Sequence, residues 1–340
     1  MPKRVQTSGS IVSTVLRRAF PRAGRTIVML LKLMLPISLG VGLLRWTGLL
    51  AEIGALFAPI MGLFKLPGET AVALVTANLA GMYALVGAMA VIPATPEALT
   101  TVSAMALVAH NLIIEGAVQH RTGTPWWFAI GIRLLTMLAV GAVVAWSVSA
   151  LQSGGANALW IRLPAPSTLH AVPTGGSFAG FLAAWVGEAA RLTVKIVLIV
   201  TAMMIGTEWL RASGLMGKLE RASRPLLRFL GLSDDVAFPW LTAQIVGVAF
   251  GGGLLLEEMR ERRIDPRDVR ALHTSIGISH SLAEDTVVLA AVGASVFWII
   301  VPRILLAAIV VRLVRPLPFG LRATASPASG VPSHRAVRTE

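Results

Sequence analysis

From Thr26 to Leu44 the chain runs nineteen residues with a single charge, Lys32, and a single proline, Pro36. At about 1.5 Å per residue such a run is long enough to cross the ~30 Å hydrocarbon layer of a bilayer as a helix. Further apolar runs follow, and the composition agrees with them: 55% of residues are apolar, 14% are charged, and the mean hydropathy is +0.74. A soluble domain carries roughly 25% charged residues. This chain therefore lacks the polar side chains to coat a water-facing surface, and it reads as an all-α, polytopic membrane protein whose first partner is the lipid bilayer. The net charge of +13 would suggest nucleic acid in a soluble protein. Here it fits loops facing an anionic cytoplasmic leaflet, and no nucleic acid is expected. The absence of cysteine excludes disulfides, thiolate catalysis and cysteine-ligated zinc.

The residues before the first run, 1–25, are basic (Lys3, Arg4, Arg17, Arg18, Arg22, Arg25). No small-residue cleavage site follows the run, so it reads as an uncleaved first span behind a cytoplasmic segment. At the other end, residues 317–340 are rich in Pro, Ser, Ala and Arg and read as a disordered cytoplasmic tail.

Sliding the sequence along itself reveals a repeat. At an offset of 166, Leu44-Arg45 meets Leu210-Arg211, Gly48 meets Gly214, Pro59 meets Pro225, Thr76 meets Thr242, Asn78 meets Gln244 and Gly81 meets Gly247. At an offset of 170, His110 meets His280, Glu115 meets Asp285 and Arg133 meets Arg303. The expected halves are 26–149 and 178–316, joined by an external Gly/Pro/Ser-rich linker over 150–177. Charge sets their relative orientation. The segments 211–228 and 260–270 hold ten Lys and Arg, whereas their counterparts 46–67 and 93–101 hold only Lys65. Cation-rich segments face the cytoplasm, so equivalent segments lie on opposite sides and the repeat is inverted. The stretches between, 69–92 and 235–256, must then return to the side they left. They read as re-entrant hairpins opened at Gly81 and Gly87, and at Gly247 and Gly251 to Gly253. Each half has three spans and one hairpin.

Ionisable residues at membrane depth cost ~2.5–3.5 kcal/mol each and tend to face a bundle interior or a pathway. Ser103 to Val118 holds His110, Asn111 and Glu115; Asn111 and Glu115 stack at i, i+4, while His110 and Glu115 do not share a narrow helical face. Either the helix opens at the histidine or the two serve different partners. In the second half His280 and Glu284 are spaced i, i+4, with Ser281 and Asp285 on the adjacent strip. The hairpins add Thr76, Asn78, Thr242 and Gln244, where broken helix ends offer sites for solutes and ions. Arg133 and Arg303 sit deep in the last span of each half, placed to neutralise Glu115 and Asp285. His110, His280, Glu115, Glu284 and Asp285 are also ligand types that suit a divalent ion, although their spacing fixes no distances. P-loop, GxSxG, HExxH and dinucleotide fingerprints are absent. No enzymatic activity, cofactor or resident metal is expected.

The segments TANLAGMYALVG and TAQIVGVAFGGG, HNLIIEGA, and GISHSLAEDTVVL followed by an aromatic cluster and Arg303 resemble the Gate-domain family, also called nucleoside recognition domain proteins. Related modules occur in the membrane portion of ferrous iron transporter B, in spore maturation proteins A and B, and in concentrative nucleoside transporters. The resemblance spans about residues 30–314 and implies a membrane protein of two Gate-like repeats; it fixes no substrate. The expectation is a permease for a small polar solute, nucleoside-like or ionic, in the inner (plasma) membrane with both termini cytoplasmic. Its site would lie between the repeats. The alternative is a non-transporting scaffold in which the His/acid pairs lock the halves together. Self-association is open in either case.

Overall fold

A computed structural model of the chain describes residues 8–153, 175–246 and 264–317. The linker, the glycines of the second hairpin and the tail fall largely or wholly outside them. Every regular element among the described residues is helical. The first half comprises α1 (Ser8–Trp46), α2 (Leu49–Gly62), α3 (Thr70–Ala80), α4 (Met82–Met89), α5 (Pro96–Ala109), α6 (Leu112–Arg121) and α7 (Trp126–Ser153). The second comprises α8 (Phe178–Ala212), α9 (Met216–Leu230), a short 3-10 turn (Asp234–Val236), α10 (Ala237–Val246), α11 (Pro266–Ser279), α12 (Glu284–Ala291) and α13 (Val296–Val314). Five segments are long and apolar enough to cross a bilayer: Val12–Trp46, Pro96–Arg121, Trp126–Leu151, Phe178–Ala212 and Val296–Val314. The protein is membrane-embedded on this evidence.

The basic first segment is not separate from the first span. Helix α1 runs unbroken for 39 residues, about 58 Å at 1.5 Å per residue. Its first turns, carrying Arg17, Arg18, Arg22 and Arg25, therefore project beyond the hydrocarbon layer. Helix α8, 35 residues long, packs along it. Trp46 meets Phe178 edge-on and Phe181 at a tilt, the Trp185 indole donates to Ser38 Oγ, and Arg22 pairs with Glu208. The two helices are therefore antiparallel. Glu208 also faces Arg211 at 3.5 Å, and Glu188 pairs with Arg191 at 2.7 Å.

The segments 46–67 and 211–228 are largely helical. Helix α2 is apolar with Leu56 and Ile60 exposed, as is Leu63 just beyond its end. Its counterpart α9 puts Lys218, Arg221, Arg224 and Arg228 outward and Leu227 and Leu230 inward.

The core is built around α5 and α11, which are enclosed on all sides: every residue from Ala98 to Ala109 and from Asp268 to Ser279 is buried. Both start the same way. Thr95 Oγ1 accepts from Ala98 N with Pro96 at the first helical position, and Asp265 Oδ1 accepts from Arg267 N with Pro266 there. The backbone also repeats. Left-handed residues occur in pairs at the offsets of 166 and 170: Gly48 and Gly214, Lys65 and Gly231, Asn111 and Ser281, Gly123 and Gly293.

Candidate functional site

Both central helices end at a histidine. His110 and His280 are extended, and the next residues, Asn111 (φ 54°) and Ser281 (φ 50°), are left-handed. The chain then re-enters a helix, at Leu112 in the first half and at Glu284 in the second. Asparagine tolerates the left-handed region better than most side chains, so the His-Asn step is a local reason for the first break. The helix does open at the histidine, and the i, i+4 stacking of Asn111 with Glu115 and of His280 with Glu284 is lost with it.

The opened backbone is held by the neighbouring helices. Asn111 N donates to Ala77 O at 3.1 Å. With its amide turned to satisfy both ends, Asn78 donates to Ala109 O at 3.1 Å. Gln244 Oε1 accepts from Leu282 N at 3.3 Å. Asn78 and Gln244 thus each serve the break of their own half. The Thr76 hydroxyl donates back to Ala73 O at 2.9 Å, and Thr242 is buried within α10. Between α3 and α4 the chain turns at Gly81, with φ 98°. A Cβ there would lie 2.7 Å from Asn111 Oδ1, so glycine is required both by conformation and by space.

The two histidines meet. His110 Nε2 lies 3.1 Å from His280 Nε2. Each ring is anchored through Nδ1 to the carbonyl four residues back, Ala106 O at 3.2 Å and Ile276 O at 2.7 Å. Since a carbonyl can only accept, Nδ1 carries the proton in both rings, and in the neutral rings both Nε2 atoms keep a lone pair. Glu115 Oε1 lies 3.0 Å from His280 Nε2 and 3.8 Å from His110 Nε2. Asp285 Oδ2 lies 3.5 Å from His110 Nε2.

Arg133 closes the first-half side. Its Nη1 is 2.9 Å from Glu115 Oε2, Nε donates to Val108 O at 2.8 Å and Nη2 to His110 O at 2.7 Å. It therefore caps the free carbonyls at the negative end of α5 while pairing with the acid. Its stem passes Gly277 of α11, where an added Cβ would sit 3.3 Å from Arg133 Cδ. Arg303 is 0% exposed, yet none of its three guanidinium nitrogens has a hydrogen-bond partner among the described residues. Asp285 is one methylene shorter than Glu115, and its Oδ2 is likewise without a hydrogen bond among the described residues. The expected Arg133–Glu115 pair is present, and a matching Arg303–Asp285 hydrogen bond is not.

Glu284 points elsewhere and accepts from Tyr83 Oη of α4 at 3.0 Å. Sequence reasoning passed over Tyr83, the single tyrosine of the chain. It also passed over His273, which meets Thr122 and Thr124 at 2.9 and 2.6 Å and whose carbonyl accepts from Gln119. The spacing of seven between His273 and His280, two turns along one face, is the signal that could have found it. Reciprocally, Ser295 N donates to Thr100 Oγ1 at 3.1 Å, so the turn before each last span rests on the central helix of the other half.

The cluster thus joins His110, Glu115 and Arg133 of one half to His280, Asp285 and Arg303 of the other. No family model and no solved structure matches the chain. Over 273 residues, 80% of this chain and 85% of the relative, it is 27% identical to an uncharacterized membrane protein, YvoD, of Bacillus subtilis (strain 168). Together with the five apolar helices, that similarity makes the chain a membrane protein.

Proposed function

We propose that the chain is a transporter of a small polar solute, with its site at the His/acid cluster between two inverted Gate-like halves of the inner (plasma) membrane. The observation that carries the reading is the cluster itself. Six ionisable side chains from both halves converge where two enclosed helices stop and expose their backbone ends, and broken helix ends of this kind hold substrates and ions in secondary transporters. Inversion is supported by the antiparallel packing of α1 and α8, the matched first helices of the repeat, and by the cation-rich 211–228 opposite the cation-poor 46–67. On that topology both termini are cytoplasmic.

The test is a screen for thermal stabilisation of the purified protein by nucleosides, divalent metals and small anions, followed by flux of the stabilising solute into proteoliposomes. The reading expects flux in the wild type and its loss in His280→Ala with the protein still folded. One observation favours a scaffold instead: Glu115 lies 3.0 Å from His280 of the other half, and protonation of that ring ties the two together. Absence of flux for every stabilising solute, with loss of folded protein in Glu115→Gln, decides for the scaffold.

A further inference from the structure

Four acceptor atoms converge at the cluster, and with both rings neutral no proton lies between them. His110 Nε2 and His280 Nε2 face each other at 3.1 Å with their protons committed on the far side of each ring. Asp285 Oδ2, buried and without a hydrogen bond among the described residues, lies 3.5 Å from the first. Glu115 Oε1 lies 3.0 Å from the second. Adjacent lone pairs at such distances repel unless a cation sits between them. One proton would relieve a single edge of this arrangement, whereas a metal ion engages the converging atoms together.

We infer that the cluster binds one divalent transition-metal ion of the zinc and cobalt class through His110 Nε2, His280 Nε2 and Asp285 Oδ2, with Glu115 Oε1 beside them. The ligand atoms of His110, His280 and Asp285 lie within 4.8 Å of one another. Bonds of about 2.0–2.1 Å to a tetrahedral ion put neighbouring ligand atoms about 3.3 Å apart. Two edges, 3.1 and 3.5 Å, are close to that spacing, and the third, between His280 and Asp285, is longer, within 4.8 Å, and must shorten when the ion is bound. Imidazole with carboxylate is the donor set of zinc and cobalt rather than of magnesium or calcium. Each ring also has the outer partner that a metal-bound histidine uses, a carbonyl accepting from Nδ1–H. The backbone contributes too, since α5 and α11 both present their negative ends here.

The charge balance assigns a role to Arg303. With neutral histidines, Glu115 and Asp285 are matched by Arg133 and Arg303, so a divalent ion adds two positive charges. An anionic ligand at the ion's open position offsets part of that charge, and all three guanidinium nitrogens of Arg303, without a hydrogen-bond partner among the described residues, can donate to it.

This inference rests on the reading of the cluster as the solute site, and it names the class of ion held there. The ion is either cargo or a resident latch between the halves. The test uses full-length protein without a polyhistidine tag, stripped with a chelator and equilibrated with Zn²⁺ or Co²⁺ by dialysis. One ion per chain is expected, with at least tenfold weaker binding in His280→Ala and in Asp285→Asn. The wild type alone also decides. Bound Co²⁺ should show the intense visible bands of four-coordination, without a thiolate band because the chain has no cysteine. Binding no tighter than Mg²⁺, an aqueous-type cobalt spectrum, or affinity unchanged in folded variants overturns the inference. Flux of a nucleoside or an anion by protein that binds no metal overturns the metal and keeps the transport reading. Stoichiometric metal that never crosses proteoliposomes, with no other solute crossing either, keeps the metal site and overturns transport.

Discussion

Arg133 and Arg303 hold equivalent positions in the repeat, and both are buried, at 1% and 0% exposure. Arg133 pairs with Glu115 and donates to Val108 O and His110 O, whereas Arg303 lies near a carboxylate one methylene shorter and forms no ion pair with it. Removing one partner from a buried pair leaves the other charge uncompensated, at a cost of about 3–5 kcal/mol. Glu115→Gln should therefore lower the melting temperature steeply, and adding Arg133→Met should recover part of the loss in a double-mutant cycle. Simple additivity of the two losses would contradict the pairing. Asp285→Glu restores the missing methylene. It should raise the stability of metal-free protein by about 1 kcal/mol, the net worth of a new hydrogen bond, and lower melting would show that the gap is not what separates the two groups. Residue chemistry of this kind was legible in the sequence, because arginine, histidine and acid are rare at membrane depth and recur here in register. Tyr83 and Gln119 were not legible. A single polar side chain in an apolar helix carries no periodic signal, and its partner lies some 150 to 200 positions away.

The elements show where pattern reading stopped. An apolar run announces a helix but not where it opens. The breaks at His110 and His280 depend on one left-handed residue each and on helices that supply replacement hydrogen bonds, among them Asn78 from α3 and Gln244 from α10. Of the two glycines expected to open the first hairpin, Gly81 marks a break, with φ 98° and Asn111 against it, whereas Gly87 lies inside α4. Gly81→Ala should cost about 1–3 kcal/mol, the range for a non-glycine residue forced into a sparse backbone region. It should also loosen hydrogen-exchange protection at Asn111 N, which bonds Ala77 O. Unchanged protection would mean that the two breaks are independent. The segments 46–67 and 211–228 were read only for their charge. That charge obscured the 3.6-residue pattern of α9, in which Leu227 and Leu230 face inward between exposed arginines.

At the scale of the molecule, two halves that match in sequence meet with their first helices antiparallel and their central helices ending on a shared ionic cluster. Collinear matches in the sequence point to a duplication, and left-handed residues recur at the same offsets. The meeting of the halves was not legible, since it depends on distances that no spacing encodes. Inversion is the claim on which the proposed path depends, and the absence of cysteine makes it directly measurable. Glu52 and Lys218 are equivalent at the offset of 166 and are both exposed. Single cysteines placed at these two positions, labelled with a membrane-impermeant maleimide in right-side-out and inside-out vesicles, should react from opposite faces, position 218 from the cytoplasmic one. Labelling of both from the same face would contradict the inverted architecture and the solute path built on it.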